Sequence, residues 1–108
     1  MPDRRAACRY ELSLPITVRV PSWNLVSLGY GTTLDMSTGG VCFTLESASR
    51  PGTVLSFTVK MPRAVTGPID VFIHGVAKVM RVVAQDAHRF QIAAAIEHYE
   101  ISRSPANL

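Results

Sequence analysis

Two short stretches of this sequence carry residue types from which a binding site for an anionic ligand could be built. The first stretch holds three arginines within six positions, Arg4, Arg5 and Arg9. A guanidinium group is planar, permanently charged and carries a fork of donors that fits phosphate oxygens. The segment around these arginines has little to bury, so its charge could serve either solubility or the capture of an anion.

The second stretch, residues 34–40 with the sequence LDMSTGG, combines a carboxylate, a hydroxyl and two glycines. Asp35 and Ser37 lie two positions apart, so they point the same way if the chain is extended there. Gly39 and Gly40 permit positive φ angles and the close approach of a ligand or another backbone. An ordinary turn would also explain this stretch, because Asp and Ser side chains often bond nearby backbone N–H groups.

Apolar and polar residues alternate with a period of two along residues 14–20, 41–45 and 53–61, which predicts strands there. The residues predicted to face inward are Ile16, Val18, Val20, Val41, Phe43, Leu45, Leu55, Phe57, Val59 and Met61. A further run rich in Val and Ile, residues 69–84, is interrupted by Gly75, where a strand could bend around a barrel.

Residues 90–99 are ambiguous, because three consecutive alanines favour a helix whereas alternating Phe90, Ile92, Ala94 and Ile96 favour a strand. We interpret the segment as a strand, joined to the preceding one by a hairpin link at residues 85–88. Residues 61–68 are predicted to be a mobile connection. Short strands separated by turns, without a strong amphipathic helix, indicate an all-β domain, either a small closed barrel or a sandwich.

Length and composition indicate one globular domain, because 108 residues with 47% apolar and 18% charged residues suit a single core. The net charge of +3 is too small by itself to indicate a coat of nucleic acid. No apolar run approaches the ~20 residues needed to cross a bilayer, and no signal peptide is visible, so we expect a cytoplasmic protein. Cys8 and Cys42 lack metal-type spacing and are expected to be reduced thiols.

The two polar stretches together resemble the PilZ domain family, whose motifs are RxxxR and [D/N]xSxxG. Both motifs are complete here and in the family's order, as Arg5-Ala6-Ala7-Cys8-Arg9 and Asp35-Met36-Ser37-Thr38-Gly39-Gly40. The resemblance extends over residues 4–100 and implies a six-stranded antiparallel β-barrel at residues 13–101. It further implies a flexible N-terminal arm at residues 1–12 and a frayed tail at residues 102–108. Many members end in an amphipathic helix, but residues 96–105 are short and end in Pro105, so we expect little or no such helix.

The resemblance also implies a ligand, cyclic di-GMP, a bacterial second messenger with two guanines and two phosphates. Arg5 and Arg9 would clamp phosphates and the Hoogsteen edges of guanine. In relatives, an arginine immediately before RxxxR favours the capture of a stacked pair of nucleotides. Arg4 occupies that place, so the resemblance suggests two nucleotides per protomer.

The second motif would supply the remaining ligand contacts. Asp35 would accept hydrogen bonds from guanine N1–H and N2–H, and Ser37 would bond a phosphate or a guanine edge. Gly39 belongs to the same implied site, and Gly40 would keep the turn open. Nucleotide binding would order the N-terminal arm, and the change would be relayed to a separate effector protein.

A second interpretation is a PilZ adaptor of the pilus or flagellar type that binds proteins and no nucleotide. Such members usually lose an arginine or the Asp/Ser pair, both of which this chain retains. A domain for single-stranded nucleic acid would need aromatic residues exposed along a strand, so we expect neither DNA nor RNA as a partner. We expect no enzyme and no catalytic residue, because no nucleophile–base pair is recognisable. No cofactor is expected, and the three scattered histidines do not indicate a metal site.

Overall fold

The computed structural model describes residues 13–21, 26–47 and 49–103. These residues form six strands and one short helix, which are β1 Pro15–Pro21, β2 Val26–Met36, β3 Gly40–Leu45, β4 Val54–Lys60, α1 Arg63–Thr66, β5 Phe72–Asp86 and β6 Arg89–Ser102. All strand pairs are antiparallel, and the sheet closes into a barrel in the order β1-β2-β3-β6-β5-β4, with β4 pairing back onto β1. The predicted six-stranded all-β barrel is therefore confirmed.

The core consists of inward-facing side chains contributed by β1 and β3 to β6. Its buried members are Ile16, Val18, Val41, Phe43, Leu45, Leu55, Phe57, Val59, Ala77, Val79, Ile92 and Ala94. The alternation in the sequence predicted the inward face of β1, β3 and β4 correctly, although Val20 and Met61 are only half-buried. Among the described residues Thr33 of β2 is the one buried polar side chain.

Strand β2 carries glycine at two inward positions, opposite Ile16 and Val18 of β1. A β-carbon at Gly31 would overlap the carbonyl oxygen of Thr44, and one at Gly29 would lie 3.0 Å from a methyl carbon of Val18. Glycine leaves both positions without a side chain, which allows the neighbouring strands to approach closely. Because the glycines interrupt the apolar alternation, the period-two pattern does not identify β2.

The hairpin of β5 and β6 is the longest paired element of the barrel. Its turn is tighter than the predicted link, because only Ala87 and His88 separate the strands, and the Asp86 carboxylate accepts a hydrogen bond of 2.8 Å from the His88 N–H. Residues 93–95 lie in β6, which confirms the strand interpretation. No helix follows β6 among the described residues, in agreement with the expected lack of a substantial C-terminal helix.

The connection between β4 and β5 is more regular than a mobile loop. It contains α1, which is followed by its C-cap residue Gly67 with a φ of 79°. The Asp70 carboxylate accepts a hydrogen bond of 3.0 Å from Arg63 Nε, and the Thr66 hydroxyl donates one of 2.9 Å to the Ile69 carbonyl. Across the described ranges, no helix is long and apolar enough to cross a membrane.

Candidate functional site

The turn between β2 and β3 contains Ser37, Gly39 and Gly40 of the second motif. The backbone N–H of Ser37 donates to the Gly40 carbonyl at 2.8 Å, and the Gly39 N–H donates to Ser37 Oγ at 3.3 Å. The turn bond uses the serine oxygen as an acceptor and leaves its O–H as a donor for a partner outside the turn. The hydroxyl therefore shapes the turn and can also contact a ligand.

Both glycines of the turn lie against β6, but only Gly40 is closely approached by it, since a β-carbon at Gly39 would meet nothing within 4 Å. The carbonyl oxygen of Gly39 accepts a hydrogen bond of 3.0 Å from the Ile96 N–H, which ties the turn to β6. A β-carbon at Gly40 would lie 3.3 Å from the Ala94 carbonyl oxygen. Positive φ angles occur in the described chain only at Gly52 and Gly67. Close approach of a backbone, and not a left-handed conformation, thus explains the glycine at position 40.

A β-bulge at the end of β2 determines where Asp35 points. Thr33 pairs with Phe43 and faces the core, and the register then shifts so that Asp35 pairs with Cys42. Regular alternation would have turned Asp35 inward, because it lies two positions after Thr33. With Leu34 as the extra residue, Asp35 shares the outer face with Cys42. The Asp35 carboxylate thus lies on the outside of the barrel, two positions before Ser37 of the turn.

The outer surface beside Asp35 is lined by short side chains. Strand register places Cys42 beside Ala93, and Gly40 beside Ala95, on the outer face of β3 and β6. We call these four residues the floor. The Gln91 side-chain amide contacts Cys42 Sγ at 3.4 Å and borders the floor on one side. Motif analysis did not identify Cys42, Ala93 or Ala95, since their shared signal is short residues at outward positions, which is visible only once the register is known.

Arg4, Arg5 and Arg9 lie outside the described residues, as do Cys8 and the predicted arm. The point at which the N-terminal segment joins the barrel is described. The N–H of Leu14 donates to Thr33 Oγ1 at 2.9 Å, and the Thr33 N–H donates to the Leu14 carbonyl at 2.9 Å. The five residues from Arg9 to Leu14 span at most roughly 17 Å. Because Thr33 is two positions from Asp35, this length is sufficient for Arg9 to reach the carboxylate.

The titration of Asp70, in the connection between β4 and β5, is shifted by neighbouring cations. The side-chain hydrogen bond from Arg63 holds the pKa of this exposed carboxyl below its usual range, with smaller help from Lys60. Lys60 is the last residue of β4, and Arg63 is the first residue of α1. In the described ranges no cluster of three or more His, Cys, Asp or Glu could hold a metal ion.

Comparison with known proteins agrees with this architecture. The solved structure of the Bacillus subtilis inhibitor of motility, MotI/DgrA, matches with a TM-score of 0.70 and 15% sequence identity. The match covers 92% of this chain and 45% of that one, so this chain spans less than half of that protein's length. At this identity the likeness establishes a shared fold. No curated protein matches the sequence. The PilZ domain family profile matches residues 3–102, nearly the whole sequence, and the chain therefore belongs to the PilZ domain family.

Proposed function

We propose that this PilZ domain is a cytoplasmic, non-enzymatic receptor for cyclic di-GMP. The observation that carries the proposal is the outward placement of Asp35 beside the Ser37 turn, at the edge of the floor of short side chains. The sequence retains Arg5 and Arg9, which supply the complementary positive charge. Membership of the PilZ family supports the same ligand, because the family's two binding motifs are both complete.

Each chemical group of the ligand is proposed to contact a different type of side chain. The Asp35 carboxylate accepts from guanine N1–H and N2–H, the two donors on the Watson–Crick edge of the base. The Ser37 hydroxyl donates to a phosphate oxygen, while Arg5 and Arg9 bind the phosphates and the Hoogsteen acceptors O6 and N7. Gly39 and Gly40 leave the turn without side chains, so the ligand can approach the backbone.

Ligand binding also provides a signal. An arm ordered by nucleotide loses conformational entropy, and charge-assisted hydrogen bonds to two phosphates offset that loss. The arm leaves the barrel at Leu14, which is fastened to Thr33 close to the site. Ordering of the arm thus creates a new surface beside the ligand, which a separate effector protein can recognise. Arg4 adds a third cation, which favours two stacked nucleotides per protomer.

Calorimetric titration of the full chain with cyclic di-GMP tests this proposal. Wild type is expected to release binding heat that is lost in the Arg5→Ala/Arg9→Ala double variant. The double variant Arg50→Ala/Arg103→Ala removes the same charge from two exposed positions outside the site and is expected to bind as wild type does. If both double variants lose affinity equally, net charge and not a specific clamp controls binding.

The ligand specificity of wild type provides a second criterion. Cyclic di-AMP lacks the N1–H and N2–H donors that Asp35 is proposed to accept, so it is expected to bind much more weakly. Equal affinity for cyclic di-AMP or for GTP contradicts the assigned contacts. Absence of any heat from wild type with cyclic di-GMP refutes the receptor and favours the adaptor that binds proteins alone.

A further inference from the structure

The floor ends at two cations on β5. Across the outer face, Asp35 pairs with Cys42, Cys42 with Ala93, and Ala93 with Arg81, so these residues form one row over four adjacent strands. The next row runs from Gly40 through Ala95 to Lys78. Arg81 and Lys78 are exposed. We propose that Arg81 binds a phosphate of the nucleotide whose guanine is held by Asp35, an inference that rests on the proposed function.

A second β-bulge gives Arg81 its direction. Val79 pairs with Ala94 and faces the core, and the register then shifts so that Arg81 pairs with Ala93 on the outer face. Regular alternation would have pointed Arg81 into the barrel, two positions after Val79. Met80 is the extra residue. Both charged ends of the row are therefore turned outward by a bulge, a device that often re-aims side chains at functional sites.

The size of the row fits a nucleotide lying flat. Three strand spacings separate the α-carbons of Asp35 and Arg81, which amounts to roughly 14 Å along the sheet. The two residues between them, Cys42 and Ala93, have short side chains, so nothing tall separates the carboxylate from the guanidinium. A guanine bound edge-on to Asp35 extends its ribose and phosphate across this floor towards β5.

The charges at the two ends of the row are complementary to the two ends of the nucleotide, which are the base and the phosphate. The carboxylate at one end accepts from the base, which offers N–H donors, and the guanidinium at the other end donates to the anionic phosphate. Among the described residues Arg81 forms no ion pair. Its donor fork is therefore not occupied by a carboxylate of the barrel. Lys78 in the neighbouring row adds positive charge without a planar fork.

Calorimetric titration with cyclic di-GMP of five single variants tests the inference. Arg81→Ala is expected to weaken binding roughly tenfold, the usual loss for one charge-assisted hydrogen bond. Arg81→Lys keeps the charge but loses the fork, and an intermediate affinity is expected. Arg103→Ala is the matched control, because this exposed arginine follows β6 ten residues beyond Ala93, about 33 Å along the strand. Its affinity is expected to stay within twofold of wild type.

The fourth variant tests the path of the nucleotide across the floor without changing the charge of the protein. Ala93→Leu adds bulk in the middle of the row and is expected to weaken binding at least tenfold. Ala64→Leu places the same change on an exposed position of α1 and is expected to have no effect. Thermal unfolding of every variant establishes that each barrel is folded at the temperature of the titration.

The outcomes separate this inference from the proposed function. If wild type binds and Arg5→Ala/Arg9→Ala does not, while Arg81→Ala stays within twofold, the receptor stands and the role of Arg81 is refuted. Equal weakening by Arg81→Ala and Arg103→Ala also refutes it, since long-range charge then explains the effect. If wild type does not bind, both proposals fail together.

Discussion

Replacing Thr33 by Val tests the connection between the N-terminal segment and the barrel. The Thr33 hydroxyl accepts a hydrogen bond of 2.9 Å from the Leu14 N–H, and its side chain is only 1% exposed. Valine retains the β-branched shape but cannot accept this bond, so the donor loses its partner at a half-buried position. The backbone bond from the Thr33 N–H to the Leu14 carbonyl does not depend on the side chain and is expected to persist.

The expected cost follows from that geometry. A neutral hydrogen bond contributes about 1 kcal/mol net, and a donor left partly desolvated adds up to about 1 kcal/mol, so we expect a loss of about 1.5 kcal/mol in the free energy of unfolding. For a domain of this size, that loss lowers Tm by roughly 6–12 °C. Urea denaturation is expected to show a lower midpoint at an unchanged m-value, because the amount of buried surface hardly changes.

Thr17→Val provides the matched control for this experiment. Thr17 lies on the outer face of β1, where it pairs with Tyr30 and Thr58, and its side chain is half-buried. The same chemical change there is expected to alter the free energy of unfolding by less than about 0.5 kcal/mol. If Thr33→Val and Thr17→Val are equally stable, the buried hydrogen bond does not hold the N-terminal segment to β2.

Three further predictions concern the barrel wall, the site and the acid titration. Gly75→Ala is expected to destabilise the protein by about 1–3 kcal/mol in urea denaturation, because the new β-carbon would lie 2.6 Å from the His98 carbonyl oxygen and 2.7 Å from the Phe57 ring. Asp35→Ala is expected to weaken cyclic di-GMP binding roughly tenfold in calorimetry, because the proposed hydrogen bonds to guanine N1–H and N2–H are lost. Asp70 has a pKa lowered by the Arg63 hydrogen bond, so its stabilising contribution is present above its ordinary pKa and is lost as pH falls through the lowered value. Arg63→Ala is expected to return that pKa upward in an NMR titration, and an unchanged value would contradict the assigned cause.

Much of the fold is predictable from alternation because the barrel has one apolar interior. The inward faces of β1, β3 and β4 follow directly from a period of two, since alternate residues of β3 and β4 are buried, as are Ile16 and Val18 of β1. Strand β6 required a choice between helix propensity and alternation. The alternation predicts the strand correctly because Ala94 faces the core, whereas Ala93 and Ala95 form part of the outer floor. Tertiary contacts thus override the local preference of three alanines for a helix.

The candidate site is less predictable because it depends on register. The spacing of Asp35 and Ser37 predicts two polar groups that point the same way, but regular alternation after Thr33 would have pointed Asp35 into the core. Nothing in the motif identifies Arg81, since its position opposite Ala93 follows from pairing between distant segments. The period-two pattern does not predict β2, because Gly29 and Gly31 stand where apolar residues would mark its inward face.

Each bulge leaves a signature in the sequence, which is missed when a strict period of two is assumed along the strand. In β2, Thr33 and Met36 both pack inward although they are three positions apart, and the pair Leu34-Asp35 lies between them. Two inward residues cannot be separated by three positions in a regular strand, because side chains alternate between the faces. An odd spacing between core residues therefore marks the extra residue.

Strand β5 repeats this signature. Val79 and Val82 face inward three positions apart, and the pair between them, Met80-Arg81, is again an apolar residue followed by a charged one. In each case the bulge brings the next apolar residue back to the core and leaves the charge on the outer face. The barrel thus keeps a continuous apolar interior while it carries a carboxylate and a guanidinium on one external row. Two local irregularities of the sheet, and not the regular alternation, create the polarity of the proposed ligand surface.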